Sequence, residues 1–297
     1  MAKILDGKKI AAEIRQEVTI AVEKLRREKA VVPGIAFVTA GDDPASRAYV
    51  TMKERACGEA GIRSWQFSFP ALAREENLLA KIKELNATPE VHGILVQLPL
   101  PMGLDTYRVL SAVSPDKDVD GFHPVNMGKL LLGQEGFCPC TPMGIVELLI
   151  RSGMTWRGKD VVIVGRSTIV GKPLAAILIQ RGREANATVT LCHTGTRDLA
   201  AHTRRAEILV AAIGKARFIT ADMVREGATV IDVGINRVED RTAERGYRLV
   251  GDVDFEGVAP KVAAISPVPG GVGPMTIAML LSNTLKAAAR SDQAKIR

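Results

Sequence analysis

Five short apolar runs in the second half of the chain most constrain its fold. They are VVIVG (161–165), ATVTLCH (187–193), ILVAAIG (208–214), TVIDVGI (229–235) and AAISPV (263–268). Runs this apolar and this rich in β-branched residues suit parallel strands buried on both faces. Helical patterns separate the early pairs, which predicts a doubly wound, Rossmann-like parallel sheet. The first half repeats the alternation on a smaller scale. A helix is expected over 6–29, a strand over 34–41, and a helix opened by Pro44 and stopped by Gly61. A strand over 63–69, a helix over 73–86 and a strand over 92–100 follow. The chain therefore reads as α/β with two domains, 1–138 and 139–273. A last helix from Pro274 (274–297) is expected to return to the first domain and complete it. Thr141 is expected to cap a helix with Pro142 at its first position, and Gly153 to end it. The polar stretch 238–248 reads as an exposed hairpin or loop.

Composition narrows the function classes. A chain of 297 residues, 46% of them apolar, can build a substantial core in one large or two ordinary domains. No apolar run approaches a membrane span, and the N-terminus has no signal-peptide pattern. The net charge of +7 is spread along the chain without interleaved aromatics, which suits an anionic small molecule and not nucleic acid. The four cysteines include a Cys138-Pro139-Cys140 triplet, but neither a second Cys pair nor a His pair stands at zinc spacing. No metal is expected, and reduced thiols point to the cytoplasm.

Two motifs carry backbone chemistry. ISPVPGGVGPMTIAM (265–279) places three Pro and three Gly in fifteen residues. Such a loop can bring bare backbone beside a ligand. VVIVGRSTIVGKP reads as strand, turn and helix, the arrangement that aims N–H groups and a helix N-terminus at a phosphate. It departs from GxGxxG: Gly165 and Gly171 remain, with Ser167 at the middle position. The strand ending at His193 is followed by Thr194 and Arg197, with no carboxylate before Asp198 to hold a ribose 2′-hydroxyl. With Arg166 after the first glycine, this favours NADP over NAD.

Side-chain chemistry clusters upstream. Ser46, Tyr49 and Lys53 share one helix face, and a Tyr and a Lys one turn apart can act together on a proton. Gln97 closes an apolar strand. In DKDVDGFHP, Asp116, Asp118 and Asp120 lack calcium-loop spacing. A substrate-binding Asp in the Gly-containing turn fits better, and His123 reads as a local hydrogen-bonding residue before Pro124.

The order of these motifs is itself informative. PASRAYVTMKERACGEAGI, GILVQLPLP, PDKDVDGFHPVNMGKL, PCTPMGI, GKDVVIVGRSTIVGKP, ATVTLCH, VIDVGINR, GDVDF and SPVPGGVGPMT together resemble the bifunctional methylenetetrahydrofolate dehydrogenase/methenyltetrahydrofolate cyclohydrolase family. The resemblance covers nearly the whole chain. It departs only by a few extra residues at 182–187 and in the polar 238–248 segment. It implies NADP-dependent oxidation of 5,10-methylenetetrahydrofolate to the 5,10-methenyl form, then hydrolysis to 10-formyltetrahydrofolate, in a cleft between the two domains. It implies Lys53 as the catalytic lysine, tuned by Gln97, with Tyr49 stacked on the aminobenzoyl ring and Asp120 on the pterin. Ser46, Val96, Leu98 and the loop Pro269, Gly270, Gly271, Val272 and Gly273 would complete the folate site. Gly165, Arg166, Ser167, Thr194 and Ile235 would hold NADP. It further implies a homodimer and a role in one-carbon supply for purine biosynthesis, and it leaves polyglutamylated folates open as substrates.

Two other readings remain to be weighed. Another NAD(P)-dependent oxidoreductase, such as a short-chain dehydrogenase, also uses Tyr-x-x-x-Lys, but there the Gly-rich turn comes first in the chain. A nucleotide-sensing Rossmann module would not need Lys53, Gln97 and Asp120.

Overall fold

The structure is a computed structural model that describes residues 2–182, 185–240, 242–243 and 246–294. The expected extra residues at 182–187 and the tip of the 238–248 segment fall partly outside the described residues, as does the end of the last helix. In chain order the strands are β1 (Lys3–Ile4), β2 (Gly34–Ala40), β3 (Arg63–Phe69), β4 (Gly93–Val96), β5 (Asp160–Val164), β6 (Thr188–Cys192), β7 (Ile208–Ala211), β8 (Thr229–Asp232), β9 (Asn236–Glu239), β10 (Tyr247–Val250) and β11 (Ala264–Ile265). The helices are α1 (Gly7–Lys29), α2 (Pro44–Glu59), α3 (Glu75–Ala87), α4 (Thr106–Ser111), α5 (Pro124–Leu131), α6 (Cys140–Arg151), α7 (Gly171–Leu178), α8 (Leu199–Thr203), α9 (Phe255–Val258) and α10 (Val272–Ala294).

The chain divides into two compact units, one of residues 12–140 and 277–297 and one of 1–11 and 141–276. The first unit is built on a parallel sheet in the order β3-β2-β4. β2 is central, and Ile35 to Val38 are fully buried. Ala36, Val38, Ile94 and Val96 pack against Leu78, Ile82 and Leu85 of α3, the apolar stripe that makes α3 a core helix. α2 starts where Pro44 fixes the first turn, but its cap is Asp43, which accepts from the Ser46 N–H at 2.8 Å.

β4 ends at Val96, short of the predicted 100. Gln97 still donates its N–H to the Val38 carbonyl at 2.9 Å, and the cis Leu98–Pro99 bond follows. Neither Pro99 nor Pro101 has an N–H to continue a ladder. Residues 117–119 run beside β4, where Ile94 donates to the Lys117 carbonyl at 2.7 Å. That approach needs Gly93, where a Cβ would press into Val119.

The second unit carries a parallel sheet in the order β1-β11-β8-β7-β5-β6. Its core joins Val162, Val164, Leu209, Ala211, Val230 and Ile265. β6 and β7 lie on opposite sides of β5, so the strand order reverses at β5/β7. Open α/β sheets bind ligands outside the carboxyl ends of the strands at such a point.

Three expectations need correction. β6 is an edge strand, half-exposed along most of its length, and is not buried on both faces. The alternation of Thr188 and Thr190 with apolar residues marks that exposed side. α6 begins at Cys140, so Thr141 sits in its first turn, not at its cap. α10 begins at Val272, before Pro274, which takes an early-turn position that needs no N–H. The polar 238–248 segment is a hairpin: β9 and β10 pair antiparallel as a separate two-stranded sheet. At the N-terminus, β1 pairs with β11 and so adds to the six-stranded sheet.

Candidate functional site

In the three-stranded unit, α2 and the end of β4 bring two predicted residues together. Lys53 is buried on α2, and its Nζ donates to Gln97 Oε1 at 2.9 Å. The Gln97 amide is held in turn, because its Nε2 donates to the Leu98 carbonyl at 2.7 Å. That bond leaves the amide oxygen aimed at Lys53. Tyr49 lies one turn before Lys53, half-buried, and burial pushes its phenol above the ordinary value. It is therefore a neutral hydroxyl and ring, not a base. The Ser46 hydroxyl is spent locally, donating to Asp43 at 2.7 Å. The Val96 side chain lies in the core, which leaves only its backbone to meet a ligand.

The acidic loop sorts its three carboxylates by role. Asp116 is exposed. Asp118 is buried and accepts from the N–H groups of Gly121 and Phe122 at 3.1 Å, from the N–H of His123 and from Asn126 Nδ2 at 2.8 Å. It folds the turn and has no capacity left for a ligand. Asp120 has no such set. Burial pushes its carboxyl up, while the Lys53 charge and a hydrogen bond from the Cys140 thiol pull it back and Asp118 pushes it up again. A half-buried carboxylate beside an ammonium can still reach for a ligand's N–H donors. Gly121 sits at φ +78°, and a Cβ there would collide with the backbone of 138–139. Asn283 of α10 donates to the Val119 carbonyl at 2.8 Å and the Cys138 carbonyl at 3.2 Å, so α10 braces the loop from behind. His123 caps α5: its Nδ1 accepts from the Val125 N–H at 3.1 Å and its Nε2 faces the Ser111 carbonyl at 3.2 Å. No group of His, Cys, Asp and Glu among the described residues could hold a metal ion.

The six-stranded unit builds its surface from backbone. Gly165 follows β5 at φ +130°, and a Cβ there would collide with the Ala212 carbonyl beyond β7. Gly171 opens α7 against the Gly165 carbonyl with the same exclusion. The two glycines thus draw the strand, the turn and the helix together at the switch point, although the middle glycine is missing. Ser167 closes the turn, its Oγ accepting from the Val170 N–H at 3.1 Å. No side chain caps α7, but its Lys172 N–H donates to the Ser167 carbonyl at 3.1 Å and Pro173 has no N–H, so of the first three helical residues Gly171 is the one whose N–H can turn to a ligand. Arg166, Ser167 and Thr194 are exposed beside it, and Ile235 leaves an apolar side chain 45% exposed. A cradle that a Cβ would fill, an uncapped helix start and an exposed arginine fit a dinucleotide phosphate. The 269–273 loop belongs to the same unit. The Gly270 carbonyl accepts from Lys8 at 2.8 Å, Gly271 and Val272 are buried, and Pro269 is exposed after a cis Val268–Pro269 bond.

Sequence reasoning quoted VIDVGINR and GDVDF without giving their acids a role. Asp232 and Asp252 are both buried. The Asp232 carboxylate accepts from the N–H groups of Gly234 at 3.0 Å, Asp252 at 2.8 Å and Val253 at 2.9 Å. The available signal was an acid at the end of an apolar strand with a glycine two residues on.

A family model described as the tetrahydrofolate dehydrogenase/cyclohydrolase catalytic domain matches residues 5–120, and its NAD(P)-binding domain matches 139–292. This chain belongs to that family. A curated relative from Syntrophus aciditrophicus, named bifunctional protein FolD, is 56% identical and covers 97% of each chain. A Campylobacter jejuni structure described as a bifunctional FolD methylenetetrahydrofolate dehydrogenase/cyclohydrolase superposes with a TM-score of 0.92 at 46% identity, over 98% of this chain and 99% of that one. A Trypanosoma brucei enzyme solved with NADP and an inhibitor gives 0.92 at 39% identity over 98% of each.

Proposed function

We propose that this chain oxidises 5,10-methylenetetrahydrofolate with NADP and hydrolyses the resulting 5,10-methenyl cation to 10-formyltetrahydrofolate. Family membership supports the pair of activities, and the Lys53–Gln97 contact beside Asp120 is the observation that carries the reading to particular residues. When bound, NADP supplies the hydride acceptor. The folate's own N5 lone pair expels the hydride, so the first step asks the protein for position, not for an acid or base. Asp120 holds the aminopyrimidine edge of the pterin, where a carboxylate offers two acceptors to two N–H donors. Tyr49, a neutral phenol, lies along the aminobenzoyl ring. Ser46, the Val96 backbone and Leu98 complete the folate surface of the three-stranded unit.

Hydrolysis needs proton movement. Water adds to the methenyl carbon and loses a proton, and N5 gains one as its bond to that carbon breaks. Lys53 carries this transfer, with Gln97 Oε1 fixing the direction of its Nζ. Gly165, Arg166, Ser167, Thr194 and Ile235 would hold the nucleotide, and Arg166 would supply a cation for a 2′-phosphate. The exposed edge of β6 supports a homodimer, because an unpaired edge is a liability for a monomer. We place the protein in the cytoplasm and leave polyglutamylated folates among its substrates.

Purified protein given methylenetetrahydrofolate and NADP⁺ should show methenyl absorbance in the near ultraviolet rise and then decay. NAD⁺ should support the rise poorly. A protein that reduces neither nucleotide with this substrate would overturn the reading.

A further inference from the structure

The loop after β7 presents three consecutive N–H groups, Ile213, Gly214 and Lys215, to one point, with Gly214 at φ +75°. Such a concavity is an anion nest. Here a carboxylate of the same chain fills it. Asp252 Oδ2 accepts from Ile213 at 2.6 Å and Gly214 at 2.9 Å, and Oδ1 accepts from Lys215 at 2.9 Å and from Asn236 Nδ2 at 2.8 Å. Asp252 is 0% exposed, and all four donors are uncharged N–H groups. A Cβ on Gly234 would collide with this carboxylate, so the turn after β8 is built to let it in.

The consequence reaches the nucleotide side. Ala212, whose carbonyl lies against Gly165, directly precedes the nest. Asn236, the fourth donor, directly follows Ile235. One buried carboxylate therefore ties the turn after β7 to the turn after β8. Asp232 holds the 252–253 backbone that carries it.

We infer that Asp252 is a positioning residue for the NADP site, fixing the 212–215 turn and Ile235 without touching the nucleotide. The inference rests on the reading of Gly165 and Ile235 as cofactor contacts. Hydrolysis of methenyltetrahydrofolate uses no nucleotide, so the cyclohydrolase rate is an internal control for folding.

The decisive variant is Asp252→Asn. It keeps one acceptor oxygen and turns an NH₂ group toward two of the four donors. We expect the NADP dissociation constant and KM to rise roughly tenfold or more, the scale of hydrogen bonds lost at a charged group. The folate KM and cyclohydrolase rate should stay within about twofold, because neither step leans on the nest. Asn236→Ala, which removes a single donor, should shift NADP affinity the same way by less, and it decides the matter if Asp252→Asn does not fold. Unchanged NADP affinity in folded protein, or equal loss of both activities, overturns the inference. Ile235→Ala tests the underlying reading. Unchanged NADP affinity there overturns that reading and the inference with it. Weakened affinity there beside normal affinity in Asp252→Asn overturns the inference alone.

Discussion

The two units offer a ligand opposite means of being held. The three-stranded unit offers side chains: Lys53 Nζ on Gln97 Oε1 at 2.9 Å, with the carboxylate of Asp120 beside them. The six-stranded unit offers backbone: Gly165 and Gly171 in mutual contact, an uncapped helix start, and two acids buried behind it. The difference follows from the chemistry. A step that moves protons needs titratable groups at the reacting atoms, whereas a step that moves a hydride needs only geometry. Mutations should therefore separate by unit.

The largest effect should come from Lys53→Met. Loss of general acid–base assistance costs about 10²–10⁴-fold, and it should fall on hydrolysis while part of the dehydrogenase rate survives. Equal loss in both assays, with the fold intact, would break the division by giving Lys53 a positioning role. Asp120→Ala should follow. Both reactions use the pterin, so both should weaken by roughly 1.5–3 kcal/mol, the scale of a charge-assisted hydrogen bond. Unchanged folate affinity in a titration removes Asp120 from the site. Arg166→Ala comes third. NADP affinity should fall by about tenfold or less, given how exposed the residue is, while NAD affinity barely moves. Equal loss for both nucleotides would detach Arg166 from the 2′-phosphate.

The smallest effect sharpens the account of the six-stranded unit. Burial pushes Asp232 from 3.8 up to about 6, against its three backbone N–H bonds, with Asp252 adding to the rise. A carboxyl raised by folding contributes stability that is complete below pH 3.8 and lost as the pH rises through about 6. Asp232 also lines a cavity of about 270 Å³ with Arg217, Arg248, Asp254 and Glu256. Asp232→Asn should flatten the change in Tm between pH 4 and pH 7, the range that spans this shift. Parallel curves for the two proteins would mean that Asp232 does not titrate there.

The contrast also explains what could be read in advance. Runs such as IAFV and VVIV were legible because burial on both faces favours apolar residues in succession. Lys53 and Gln97 were legible because reactive side chains are named by their letters. Asp43 was missed as the cap of α2 because Pro44 drew attention to the first turn. The edge position of β6 depends on which strands flank β5, and strand order lies outside local pattern. Asp252 was illegible for a deeper reason. Its four partners are three backbone N–H groups, which every residue type but proline carries, and one asparagine. Only the fold reveals that an acid in GDVDF is buried and fills a nest.

The pairing of Lys3 with Ala264 also sets an order of events during synthesis. At ~5–20 residues per second, β1 leaves the ribosome on the order of tens of seconds before the strand it pairs with exists. The three-stranded sheet needs nothing beyond Val96 and can assemble early. The six-stranded sheet must wait, with β1 unpaired, until β11 emerges. Nascent chains halted before 264 should thus carry a three-stranded sheet still without its α10 brace and a second sheet still open at its edge, which is where a chaperone would have most to do.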